Sequence, residues 1–165
     1  MQKNKTTSQL LLFIIYSLIS GCSSTPETES VVKPIPARQP KAVEYALTLQ
    51  GAPYRYGKDN PREGFDCSGF VRHVYSTQGV RLPRTAKEMA LALPTIPKYA
   101  IQSGDLVFFN INGQVFSHVG IYINDNHFIH APSQRTGKVL VSNLTTDYWQ
   151  QHFSGARRPI YSLSK

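Results

Sequence analysis

The segment GFDCSGFVRHVY, residues 64–75, places Cys67 at the start of an amphipathic helix. Cys67, Phe70, Val71 and Val74 recur at helical spacing, so the cysteine sits on the inward stripe, at its N-terminal end. A cysteine there serves one of two purposes. It is a small apolar core residue, or it is a nucleophile set where unpaired backbone N–H groups and the helix dipole favour the thiolate. Asp66 is placed to cap the helix from just outside, and Gly64 and Gly69 leave space around the sulfur. The second reading predicts a thiol that ionises more readily than free cysteine, with a histidine as its base.

Five histidines are available. His73 lies about 240° round the helix from Cys67, at roughly 100° per residue, which puts it on the surface. His152 has no supporting pattern. His118, His127 and His130 fall in two β-rich runs separated by the turn signal NDN, residues 124–126. Alternation puts His118 on one face with Phe116, Gly120 and Tyr122; His130 shares a face with Phe128, and His127 points the other way. Register decides whether His118 and His130 meet. A two-residue loop at Asp125–Asn126 pairs Ile121 with His130 and separates the histidines. A three-residue loop, Asn124 to Asn126, pairs Gly120 with His130 and makes the two histidines diagonal neighbours on one face. Asparagine tolerates the left-handed backbone such loops need, and the three-residue loop is the one expected. His118 is then the base for Cys67, and His130 bonds its other ring nitrogen, fixing tautomer and orientation. Otherwise both are satisfied strand residues.

The elements that must position these groups follow from the pattern. Val43, Ala46 and Leu47 mark a first helix, closed by Gly51 and Pro53. APYRYGKDNPREG is a polar loop carrying Tyr54 and Tyr56; Tyr54 leads toward Cys67 and either packs in the loop or sits beside the thiol. The Cys67 helix should run to about Gln78, with Gly79 as its stop. Thr85 with Glu88 forms a capping box for a short helix, Ala86 to Leu93. Strands are expected at Ser103–Asn110, Val115–Ile123, His127–Ala131 and Lys138–Leu144, then a short helix or turn at Asp147–Phe153. RRPIYSL is expected as an edge strand, because of Pro159. Helices first and strands later define an α+β fold with an antiparallel sheet.

The first 21 residues have the form of a signal peptide: Lys3 and Lys5, then the apolar run Leu10–Ile19, too short to span a bilayer. The run ends in ISGC, which resembles a bacterial lipobox and implies lipidation of Cys22 through its sulfur, with Ser23 favouring the outer membrane. The alternative is an ordinary signal peptide cut near Gly21. Residues 22–40, rich in Ser, Thr, Pro and Glu, read as a lipidated terminus and flexible tether. Residues 41–165 are one domain. With Cys22 acylated, Cys67 is the one remaining thiol of an exported chain, which flags it as reactive. The net charge of +8 is scattered and no nucleic-acid motif accompanies it. HExxH and CxxC are both missing from the sequence, so neither a metal nor a cofactor is expected. Ser68 and Ser117 lack a nucleophile elbow.

PYRYGK, DCSGFV, LPR, GDLVFF, SHVGIY and FIHA, in that order, resemble the NlpC/P60 family of cell-wall cysteine peptidases over about residues 41–160. The resemblance implies a papain-like fold, a nucleophile helix packed on an antiparallel sheet. It assigns Cys67 as nucleophile, His118 as base and His130 as the orienting residue, with Tyr54 placed to polarise or position near the sulfur. It implies thioester-mediated hydrolysis of peptidoglycan stem peptides or cross-links, with Ser68 and Asp66 supporting the site and the N–H of Cys67 or Ser68 as oxyanion donor. A monomer held to the membrane through Cys22 is expected. Arg55, Lys58, Arg62, Arg84 and Arg135 are candidates to meet substrate carboxylates. Gly57-Lys58 stands where many members have two glycines, a change at the cleft rim. The rival reading is a catalytically silent wall-binding or scaffold lipoprotein of the same fold.

Overall fold

The computed structural model describes residues 40–111 and 113–160. The signal peptide, Cys22 and the tether before Pro40 lie outside the described residues. Among the described residues no helix is long and apolar enough to cross a membrane.

Helix α1 (Lys41–Thr48) buries Ala42, Val43 and Ala46. The tyrosine-bearing loop contains a two-residue hairpin, β1 (Asp59–Asn60) and β2 (Gly64–Phe65), and β2 delivers the chain into α2 (Cys67–Ser76). Asp66 caps α2: its Oδ1 accepts from the Gly69 N–H at 2.6 Å. Gly69 is there because nothing larger fits, since a Cβ would lie 2.2 Å from the Lys58 carbonyl oxygen. The expected capping box of Thr85 and Glu88 opens α3 (Ala86–Ala92).

Strand β3 (Thr95–Ile96) and a 3₁₀ turn (Lys98–Ala100) lead to β4 (Leu106–Ile111), β5 (Gln114–Asn124), β6 (His127–His130) and β7 (Leu140–Asn143). Helix α4 (Asp147–His152) then feeds β8 (Phe153–Arg157). The last strand therefore ends before Pro159 and is not the expected edge strand, since it pairs with both β3 and β4. The residue lacking an N–H falls outside the ladder. The sheet is antiparallel throughout, in the order β3-β8-β4-β5-β6-β7.

Alternation along β4 divides the interior between the two sheet faces. Leu106 and Phe108 join Val119, Ile121, Ile129 and the apolar stripes of α1, α2 and α3 in the larger core. Val107 and Phe109 join Phe128, Leu144, Ala156 and the partly buried Trp149 of α4 in the smaller one. His118 and His130 belong to this second face.

The β5–β6 connection departs from expectation in a way that preserves its consequence. Asp125 and Asn126 have φ of 44° and 63°, a two-residue turn of left-handed residues, with Asn124 opposite His127. The register then shifts between Tyr122 and Asn124, so that Tyr122 faces Phe128 and Ile121 faces Ile129. Ile123 is the extra residue of a bulge, which moves the pairing by one position. Continued one residue further, this register sets Gly120 opposite His130. The expected three-residue loop is thus replaced by a two-residue turn plus a bulge.

Candidate active site

Gly120 is what allows the two histidines to approach. A Cβ at that position would lie 2.6 Å from Phe128 Cδ2 and 3.1 Å from His130 Cβ. Across the space so left, His118 Nε2 meets His130 Nδ1 at 2.7 Å, with both rings buried. His130 Nε2 in turn meets the hydroxyl of Ser142 at 2.9 Å. Ser142 comes from β7, where it stands opposite Phe128, diagonal to His130 on the same face. Trp149 closes the pair from α4. Its ring stacks on His118 at 5.8 Å and meets His130 edge-on at 4.9 Å. His127 takes no part, and His152 bonds the Tyr148 carbonyl instead. His73, expected at the surface, is partly buried where α1 and β2 cover that flank of α2. Its Nε2 bonds the Tyr45 hydroxyl at 3.0 Å and its ring packs 5.3 Å from that of Phe65.

Cys67 and His118 line one cleft of about 930 Å³, together with Tyr54, Ser68, Phe116 and Pro132. The Cys67 sulfur is held by the backbone N–H groups of Val119, Ser68 and Cys67 itself, each of which favours the thiolate. The N–H contacts do not prevail. Burial, reinforced by the Asp66 carboxylate, pushes the thiol up to about 11. Burial also brings His118 down to about 4, and it holds His130 well below the ordinary histidine range, helped by the proximity of His118. The expected easily ionised thiol is therefore corrected: with desolvation dominant, sulfur and imidazole rest neutral. Tyr54 borders the cleft with its hydroxyl pKa raised, first by burial and then by Cys67 and Asp66, so it remains a proton donor.

Asp66 does more than cap. Its two oxygens accept from the N–H groups of Gly69 and Gly57, the Ser68 hydroxyl and both terminal nitrogens of Arg84, the closest at 2.6 Å. Arg84 also donates to the Ser68 hydroxyl at 3.0 Å. Asp66 and Ser68 are thereby committed to holding the nucleophile's turn. Arg84, one of the cations expected to meet substrate carboxylates, is spent on this carboxylate, and Lys58 pairs with Glu63. Ser117 is structural: its hydroxyl accepts from the Ile111 N–H and donates to the Ile111 carbonyl. It pins an irregularity of β5 in which Phe116 takes a left-handed φ of 52° against the cleft, its N–H held by the Asn110 side chain. Ser142, Trp149 and the Asp66–Arg84 pair are participants that sequence reasoning misses. A lone serine in an alternating strand and a tryptophan in a short polar helix carry no local signal of a partner across a sheet.

A helix bearing a thiol at its first turn, packed on an antiparallel sheet with the cleft at that turn, is the architecture of papain-like domains. Residues 51–158 match the sequence model of the NlpC/P60 family, and the chain belongs to that family. It is 44% identical over 113 residues to the murein DD-endopeptidase MepH of Escherichia coli, covering 66% of this chain and 41% of that protein. It is 38% identical over 157 residues to the probable endopeptidase NlpC of the same species, covering 90% of this chain and 97% of that protein. The chain thus spans less than half the length of MepH and nearly all of NlpC. A solved NLP/P60-family structure from Staphylococcus aureus, described as similar to lipoprotein, superimposes with a TM-score of 0.67 at 37% identity, over 74% of this chain and 41% of that one.

Proposed function

We propose that this chain is a cysteine endopeptidase that hydrolyses amide bonds in the peptides of peptidoglycan, with Cys67 as nucleophile, His118 as base and His130 as its orienting partner. The observation that carries the reading is the buried 2.7 Å bond between His118 and His130, beside a thiol on the same cleft. That bond engages His118 through Nε2 and leaves Nδ1, which bonds no described residue, as the nitrogen for the sulfur's proton. The murein endopeptidase activity named for MepH supplies the substrate class.

Because sulfur and imidazole rest neutral, the proton leaves Cys67 for His118 Nδ1 as the C–S bond forms. Negative charge then develops on the carbonyl oxygen, where the first-turn N–H groups of Cys67 and Ser68 can receive it. His118 returns the proton to the leaving amine as the C–N bond breaks, leaving a thioester. A water then gives one proton to His118 and attacks the thioester carbon, and the thiol leaves with that proton. Tyr54 donates toward this region, while Asp66, Ser68 and Arg84 hold the turn.

Cys67→Ala should abolish release of muropeptide fragments, read by mass spectrometry of digested peptidoglycan, with the fold intact by circular dichroism. Release at the normal rate would remove the proposal in favour of a silent scaffold. Lipidation at Cys22 and attachment to the outer membrane, from the periplasmic side, complete the reading on the strength of the leader sequence. Palmitate labelling that vanishes in Cys22→Ala tests them.

A further inference from the structure

We infer that Ser142 is a positioning residue, whose hydroxyl is the acceptor that the His118–His130 pair needs whenever His118 carries a second proton. The inference rests on the proposed reading of His118 as base.

Two hydrogen bonds form a chain whose protons can be counted, running from the buried histidines to the partly buried Ser142: His118 Nε2 to His130 Nδ1, and His130 Nε2 to Ser142 Oγ. A neutral imidazole carries one N–H, so the chain has two neutral arrangements. In the first, His118 donates from Nε2 to His130, and His130 donates from its own Nε2 to Ser142. This leaves His118 Nδ1 with a lone pair, able to take a proton from Cys67. In the second, every proton is reversed: Ser142 donates to His130, His130 donates to His118, and His118 Nδ1 holds the hydrogen and cannot act as a base. A serine hydroxyl serves both.

Protonation of His118 removes the choice. The imidazolium must donate from Nε2, so His130 Nδ1 must accept, and the one N–H of His130 must then lie on Nε2. That N–H belongs to a buried ring packed against two aromatic rings, Phe128 at 4.6 Å and Trp149 at 4.9 Å between ring centres. Among the described residues Ser142 Oγ is its one hydrogen-bond partner. The bond is neutral in the resting enzyme and charge-assisted when His118 is protonated, so it favours the charged state over the resting one. A group whose contribution grows as the charge develops raises turnover rather than ground-state affinity. The ladder makes the placement specific. One step of register would present Val141 or Asn143 in place of Ser142.

Threonine and valine at position 142 test this in the full chain, since they share a shape and differ by the hydroxyl. Ser142→Val should lower kcat roughly ten- to hundredfold, as expected for losing a hydrogen bond to a charged chain, with KM nearly unchanged. Ser142→Thr should restore turnover. Histidine ¹⁵N spectra give a readout independent of activity: Ser142→Val should move the His118 proton from Nε2 toward Nδ1, because an orphaned buried N–H is avoided more strongly than an unpaired acceptor. Should the added methyl groups prevent folding, Ser142→Ala repeats the comparison against the native chain. Indistinguishable valine and threonine variants in both turnover and spectra would overturn the inference. A tautomer change in the valine variant with full turnover would uphold the role of Ser142 and refute His118 as the base.

Discussion

Gly120→Ala is a demanding test of the site, because it adds one methyl group at the point where the two histidine strands touch. The backbone at Gly120 is not left-handed, so the effect is one of space alone. The new Cβ would stand 2.6 Å from the edge of the Phe128 ring and 3.1 Å from both His130 Cβ and the Ile129 carbonyl oxygen. Ordinary contact begins near 3.4 Å, so the ring must retreat by about 0.8 Å and His130 by about 0.3 Å. Phe128 cannot swing freely, being packed 5.0 Å from the Phe109 ring and 5.1 Å from that of Trp149. Overpacking of this kind costs about 1–3 kcal/mol, or roughly 4–12 °C in melting temperature for a domain of this size. The displacement at His130 is about a third of the roughly 1 Å misplacement that costs about a hundredfold, so kcat should fall severalfold. Thermal melts and the rate of muropeptide release measure the two effects. Phe128→Leu, which withdraws the ring edge, should recover part of both losses in the double variant. A Gly120→Ala protein with native melting temperature and native turnover would refute the role of that glycine in seating the histidine pair.

Other consequences follow from the same geometry. Asp66→Ala removes the α2 cap and strands Arg84; the loss should be about 3 kcal/mol, the low end for a broken buried pair because Arg84 keeps a third of its surface in water, seen as a lower denaturant midpoint. His118, near 4 when folded and 6.5 when free, binds its proton later in the folded chain than in the unfolded one. Stability should therefore fall as the pH drops from 6.5 toward 4, with His130 adding to the slope. Cys67 acts at the other end: the folded chain keeps a thiol proton that the unfolded chain loses above 9.0, so stability should fall as the pH rises from 9.0 toward about 11. In Cys67→Ala that alkaline slope should shrink, which melts across pH would show. Trp149→Ala admits water to the histidine pair, so His118 should titrate closer to its ordinary value by NMR and the acid limb of kcat/KM should move to higher pH.

The chain's sequence alone determined whatever depends on neighbours a few residues apart. Cys67 on the inward stripe of α2, Asp66 as its cap, and the capping box of Thr85 and Glu88 follow from helical spacing and from the unpaired N–H groups of a first turn. The β-rich runs of β4 to β7 follow from their β-branched and aromatic residues set between turn signals, and only the last of them, Lys138–Leu144, from alternation. The order of motifs was also legible, and with it the family. Tertiary structure alone decided how distant groups meet. The turn at Asp125–Asn126 would have separated His118 from His130, and the bulge at Ile123 brings them back into one register. Ser142 and Trp149 join them because β7 and α4 close over the second face of the sheet. Arg84 reaches Asp66 across 18 positions instead of facing solvent. Burial, a property of the assembled chain, reverses the ionisation that the helix start suggested for the thiol: the free energy of desolvating a charge depends on everything packed around it, and no local pattern records that.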